Sequence, residues 1–414
     1  MLPKGWIDGR VGDLIQGLES GVSVNGEDRA LKGTEKGVLK VSAVSYGRFD
    51  PNAVKAIISN SELKRAKTHP RKGQIVISRS NTEELVGASA YVEEDYLDLF
   101  LPDKLWQIEP EQNVCMKWLS YILASDHSRY VLSNLATGTS GSMKNITKGE
   151  FLGLKIAIPP LAEQRKIAKI LGTWDKAIAT TEKLIEVSKQ QKKALMQQLL
   201  TGKKRFSGFE EEWEIEALSS LLERIIDYRG QSVPKANKGI PLITAKNVRM
   251  GYLDFASQEY IDENSFDSWM KRGTPQAGDI LFTTEAPLGM ACRYPETGVY
   301  GVGQRTVTLR VNQKINSDFL LYFLLSEKGQ RLIDLRSSGS TAKGIKSSEL
   351  KKVKIFFPSD LNEQKKIATV LSSADSELEH LQTKLANLKQ EKKSLMQQLL
   401  TGKRRVKVET QEAA

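Results

Sequence analysis

Residues 195–203 read LMQQLLTGK, and 200 residues later, at 395–403, the same nine letters return. Working outward, Leu161–Arg205 aligns without gaps to Leu361–Arg405, with 22 identities in 45 positions. Glu163-Gln164 recurs as Glu363-Gln364, and Lys166-Ile167-Ala168 as Lys366-Ile367-Ala368. Self-similarity at a fixed offset marks an internal duplication. Both copies lack proline, and Gly202 and Gly402 follow the last apolar turn, where a left-handed C-cap belongs. Pro159-Pro160 and Pro358 stop whatever precedes each copy. The copies therefore predict two long helices.

The second helix carries a heptad. One apolar column is Leu371, Leu378, Leu385 and Leu399; the other is Ala374, Leu381, Leu388 and Leu395. The first follows the same frame less strictly through Leu171, Trp174, Ile178, Ile185, Leu195 and Leu199. A 3.5-residue seam sustained this long argues for a coiled coil. Lys192 and Lys392 interrupt the same column in both copies, either fixing register or reaching out to solvent. Helices of nearly forty residues are roughly 55–60 Å long. Neither can bury its seam alone, so an antiparallel pair is expected, giving a pseudo-two-fold molecule.

Between the helices lie two diverged regions, 1–160 and 206–360, with a short tail at 406–414. Each opens on a tryptophan, Trp6 or Trp213. Each has a strand-like run, Lys72–Arg79 or Ala277–Thr284, and then a helix candidate, Met116–Ala124 or Phe319–Leu325. A small-residue loop follows at 137–142 or 337–341, and a strand closes each region at Leu154–Ile158 or Val353–Phe357. Short β-branched strands among turns and a few helices predict mixed α/β (α+β) modules. The fold class is thus two α/β domains alternating with two spacer helices, 161–205 and 361–405. The helices stayed alike while the domains diverged, the pattern of one scaffold carrying two different readers.

Net charge is +11, which points to a polyanionic partner. The excess lies in the helices: 161–205 holds 11 basic and 4 acidic residues, while 206–360 holds 20 of each. A polyanion would therefore meet the domains only at local patches. Two distant cysteines, Cys115 and Cys292, suit a reducing cytoplasm, and no apolar leader or membrane span is expected. Catalytic motifs fail. Gly339 and Gly344 have P-loop spacing, but Ile345 stands where the lysine belongs. Ile158-Pro159-Pro160-Leu161 lacks the polar group and aromatic of an amino-methyltransferase. No Cys-x-x-Cys or His-Glu-x-x-His is present. A binding protein without a catalytic or metal centre is expected.

With Leu161-x-Glu163-Gln164-x-Lys166-Ile167 and Leu195–Lys203 repeated after 200 residues, the chain resembles the specificity subunits of type I restriction–modification systems. The resemblance implies two target-recognition domains, each reading one half of an interrupted, asymmetric DNA sequence. It implies that the antiparallel helices act as a ruler and dock two modification subunits. Those subunits would carry S-adenosylmethionine and methylate adenine. Restriction subunits, where present, would supply ATP- and Mg-dependent translocation and cleavage.

Base reading favours Arg on guanine and Asn or Gln on adenine, and Ser, Thr and Lys often hold phosphates. Residues of these types that follow strands or lie in small-residue loops are the DNA candidates. In the first domain they are Arg48, Arg79, Ser80, Asn81, Thr139, Ser142 and Lys144. In the second they are Lys246, Asn247, Arg249, Thr284, Gln304, Arg305, Lys343 and Lys346. The competing readings are a coiled-coil scaffold with protein-binding ends and the remnant of a fused enzyme.

Overall fold

The two duplicated stretches form helices of equal length, Leu161–Leu199 and Leu361–Leu399. Each stops before the predicted boundary at residue 205 or 405. Gly202 and Gly402 take φ of +69° and +70°. The amide of Gly202 then donates to the carbonyl of Leu199, and that of Lys204 to the carbonyl of Gln198. Glycine takes this left-handed conformation without the Cβ clash other residues suffer.

The computed structural model describes residues 2–140, 143–230, 232–339 and 343–408, apart from the side chains of residues 139 and 140. It divides into two compact units, residues 1–181 with 384–414 and residues 182–383. Each unit therefore contains one globular domain and half of each long helix. No helix among the described residues is long and apolar enough to cross a membrane.

The domains share a plan. In the first unit an antiparallel sheet runs in the order Ile15–Ser20, Leu105–Pro110, Ile75–Ser78, Ser89–Tyr91. In the second the order is Leu222–Asp227, Thr306–Val311, Ile280–Thr283, Ala291–Arg293. The central strands read IVIS and ILFT and are wholly buried, as continuous apolar runs should be. The expected helices are present as Met116–Ala124 and Ser317–Leu325. Each is followed by a second helix capped by a serine, Ser125 or Ser326, whose side chain accepts an amide hydrogen bond. The opening tryptophans lead into strands that pair with the closing ones, Ile7 against Ile158 and Trp213 against Pro358. One expectation needs correcting. The small-residue stretch starting at Thr137 is no loop, because Thr137–Ser140 pairs with Met143–Asn145 as a hairpin.

Within each unit the two helices run in opposite directions. In the first, Trp174 donates its indole N–H to Glu391 at 3.2 Å, and Lys392 pairs with Asp175 at 2.5 Å. In the second, Lys192 pairs with Asp375, which also accepts a 2.8 Å hydrogen bond from Tyr322. Burial, then this bond, pushes the Tyr322 phenol up to about 12. Each intruding lysine thus answers a carboxylate on the opposite helix. Among the proposed seam residues, Leu171, Ile185, Leu199, Leu371 and Leu399 are buried. Trp174, Ile178, Leu195, Leu378, Leu381, Leu385, Leu388 and Leu395 are half-buried.

The helix ends do more than pair with each other. Ile167, Leu171, Leu399 and Leu400 enter the core of the first domain beside Trp118 and Phe151. Leu199, Leu200, Ile367 and Leu371 enter that of the second beside Phe319 and Phe357. The end of one helix repeat and the start of the other therefore complete each core. The duplicated motifs lock together there. Arg205 holds Glu363 through two hydrogen bonds, 2.9 and 2.7 Å, and Arg405 holds Glu163 in the same way. Gln164 accepts from the amide of Cys115 and donates to the carbonyl of Pro159; Gln364 accepts from Asn316 and donates to Lys314 and Pro358. The repeated Glu-Gln pair is the joint between helix and domain.

Candidate nucleic-acid interface

Three chain segments meet at the end of the central strand in each domain. In the first, the amide of Arg79 donates to the carbonyl of Lys104 at 3.0 Å, and that of Ile146 to the carbonyl of Arg79 at 3.0 Å. In the second, Thr284 donates to Arg305 at 3.0 Å and Ile345 to Thr284 at 2.9 Å. The same backbone frame thus presents Arg79, Lys104 and Lys144 in one domain and Thr284, Arg305 and Lys343 in the other. A frame held by backbone bonds tolerates any side chain, so this is where two copies can diverge in what they contact.

The frame also sorts the candidates. Ser80 is 3% exposed, and its strand Ser80–Asn81 pairs with Lys144 and Asn145. Thr284 is 1% exposed and gives its hydroxyl hydrogen to the carbonyl of Arg305. Both side chains are buried, and both residues tie neighbouring loops together. Asn247 is wholly buried. Its amide oxygen accepts from the N–H and hydroxyl of Thr244, and its NH₂ donates to the carbonyls of Asp254 and Ser257. Every hydrogen-bonding position is spent on fixing the hairpin around Gly251, so Asn247 cannot read adenine. We expect Asn247→Ala to lower unfolding stability by about 2–3 kcal/mol, since it strands several buried partners. Chemical denaturation of the full chain measures this, and a loss below about 0.5 kcal/mol would contradict the assignment.

Other candidates are accessible. Arg48 is exposed beside the turn at Tyr46-Gly47. Arg79 is half-buried, 5.9 Å over the Trp106 ring, and its Nε donates to the carbonyl of Asp103. Asn81 is half-buried and bonds to Ser78 and to the amide of Thr82. Lys144 is half-buried on its hairpin, and Lys346 is exposed. Ser142 and the side chain of Thr139 lie outside the described residues. Arg249 pairs with Asp254 at 3.3 Å, and Lys343 pairs with Asp334.

Lys246, Gln304 and Arg305 come together in a cleft of about 390 Å³, with Ser232, Lys235, Thr244 and Glu259 also on its walls. Lys104, Lys235 and Thr244 went unmarked in the sequence. Lys104 could have been found by aligning the strand starts Leu105 and Thr306, which places it opposite Arg305. Lys235 carries no such signal, because its strand Lys235–Ala236 has only two residues.

Among the described residues no three His, Cys, Asp or Glu side chains are grouped as metal ligands. Cys292 is 1% exposed, and burial pushes its thiol up to about 12, far from a reactive thiolate.

Comparison with known proteins agrees with this duplicated plan. The model for the type I restriction modification DNA specificity domain matches twice, at residues 3–189 and 210–390. A Methanocaldococcus jannaschii protein assigned as the MjaX type I restriction enzyme specificity subunit is 26% identical over 428 residues, spanning 98% of this chain and 95% of its own length. The EcoKI specificity subunit of Escherichia coli is 25% identical over 293 residues, or 68% of this chain and 62% of that protein. In fold, the chain is similar to the S subunit of a type I restriction–modification system from M. genitalium, with a TM-score of 0.63 at 15% identity over 97% of this chain and 99% of that one. A chain from a structural study of type I system assembly gives 0.57 at 18% identity over 97% and 99%. With two matched domains covering most of its length and a fold to suit, the chain belongs to the family of type I restriction–modification DNA specificity proteins.

Proposed function

We propose that the chain is the DNA-reading, non-catalytic subunit of a cytoplasmic type I modification complex. Its first domain takes one half-site and its second an unlike half-site. The observation that carries this is the shared backbone frame at Arg79 and Thr284, which sets Lys104 and Lys144 of one domain where the other has Arg305 and Lys343. Unlike readers on one frame require a bipartite, non-palindromic target. The helices set the distance between the readings, because their length in turns is fixed.

Two modification subunits would dock on surfaces the duplication has made alike. One groove, of about 590 Å³, is lined by Lys389, Lys392, Lys393, Met396, Gln397, Leu400 and Thr401 against the first domain. Another, of about 570 Å³, has Lys189, Lys192, Lys193, Met196, Gln197, Leu200 and Thr201 against the second. These seven residues, from the last helical turns and just past them, are the same in both. Equal surfaces support equal partners. S-adenosylmethionine would reside in those partners, and ATP and Mg in restriction subunits.

Methylation mapping of the host genome with and without the gene tests the function. It should reveal one bipartite motif that vanishes with the gene. Arg305→Ala should then relax the motif at one or two positions of one half-site, at a cost of about 1–3 kcal/mol in binding. An unchanged motif, or uniform weakening at every position, would remove Arg305 from the readers.

A further inference from the structure

The cations of the second domain's cleft are already paired. Glu259 lies on the strand Glu259–Ile261 and holds Lys235 at 2.6 Å and Lys246 at 3.8 Å. Glu285 follows the buried Thr284 and holds Arg305 at 2.9 Å. Glu259 lies on the cleft wall, and Glu285 meets the cleft through its pair with Arg305. Glu259 sits beneath its lysines, 23% exposed against 58% for Lys235 and 71% for Lys246, and Glu285 is about as open as Arg305, so each carboxylate offsets the positive charge the cleft shows to a phosphate. The whole region 206–360 is electrically neutral, with 20 basic and 20 acidic residues, although its partner is a polyanion.

Nonspecific attraction to DNA comes almost entirely from cations that release counterions from phosphates. A lysine or arginine whose charge is offset by an adjacent carboxylate contributes less to that attraction, because the phosphate meets a smaller net field. Base-edge hydrogen bonds at a matching sequence can supply the missing free energy; a random sequence cannot. Resting on the DNA-reading function above, we propose that Glu259 and Glu285 determine specificity by restraint: they hold Lys235, Lys246 and Arg305 in internal ion pairs and so suppress binding to sequences that do not match. They are positioning residues acting through the cations, in the manner of features that build discrimination by weakening the wrong complex.

The test uses the full chain assembled with its modification subunits and two duplexes of equal length, one carrying the motif mapped from the genome and one with that motif scrambled. Affinity for each is measured over a series of salt concentrations. The double variant Glu259→Gln/Glu285→Gln should bind the scrambled duplex about tenfold more tightly at ~0.1 M salt, with a salt slope steeper by about two. Its affinity for the matching duplex should change less than about threefold, so the preference ratio falls. Glu259→Asp/Glu285→Asp should restore the wild-type ratio. Glu216→Gln, which removes a carboxylate paired with Lys314 outside the cleft, makes the same kind of charge change and should leave the ratio alone. An unchanged slope on scrambled DNA, or the same gain with Glu216→Gln, overturns the proposal. So does a loss confined to the matching duplex, because the carboxylates would then be contacting bases. A wild-type complex that binds both duplexes equally would overturn the DNA-reading function as well.

Discussion

Arg205→Ala should lower the stability of the second unit by about 3 kcal/mol, a large share of what a domain possesses. Its partner Glu363 has a fully buried side chain, while that of Arg205 retains 26% exposure. Removing the arginine leaves a carboxylate in the interior without a counter-charge. Losses of 3–5 kcal/mol are usual for such a change, and the partial exposure of Arg205 places this one at the lower end. Arg405→Ala should cost less, because Arg405 is 42% exposed and Glu163 retains 6%. Adding Glu363→Gln to Arg205→Ala should recover part of the loss, since no charge is then stranded. Calorimetry of the full chain reads all three, and an Arg205→Ala protein melting with the wild type would refute the joint.

Removing one heptad from each long helix, residues 181–187 and 381–387, should change the target while preserving what each domain reads. Pairs such as Lys392–Asp175 and Lys192–Asp375 flank the excised segments and keep their relative order. Seven helical residues occupy about 10.5 Å, roughly three base pairs of DNA. The expected methylation motif keeps both half-sites and loses about three base pairs between them. A motif with its original gap would disprove the ruler, whatever the activity of the shortened protein.

The scaffold could be read from the sequence, and the interface only in part. LMQQLLTGK and the Glu-Gln pair were legible because a duplicated sequence states its own boundaries, and the glycine after each helix stated its end. The partners of that glycine were not legible. Gly402 packs beside Trp6 and Gly202 beside Trp213, contacts between residues hundreds of positions or only a few apart. In the interface, Asn247, Ser80 and Thr284 shared the residue types of DNA readers. A polar side chain after a strand is equally suited to tie loops together, and only burial separates the two uses. Lys104 was missed because it was not aligned with Arg305 across the two domains, and Lys235 because a two-residue strand leaves no pattern around it. The pairing of Arg305 with Glu285 joins residues from different loops, so no spacing in the chain announces it.

The exchange of helix ends has a consequence for how the polypeptide is made. The second unit, 182–383, is one uninterrupted stretch, whereas the first needs Leu399, Leu400 and Arg405 to complete a core begun at Trp6. As the ribosome proceeds, all the parts of the later domain emerge while the earlier one still lacks its final helical turns. The order of completion therefore reverses the order of synthesis, and the newborn first domain waits with an unfilled apolar groove until Leu399 and Leu400 have been made.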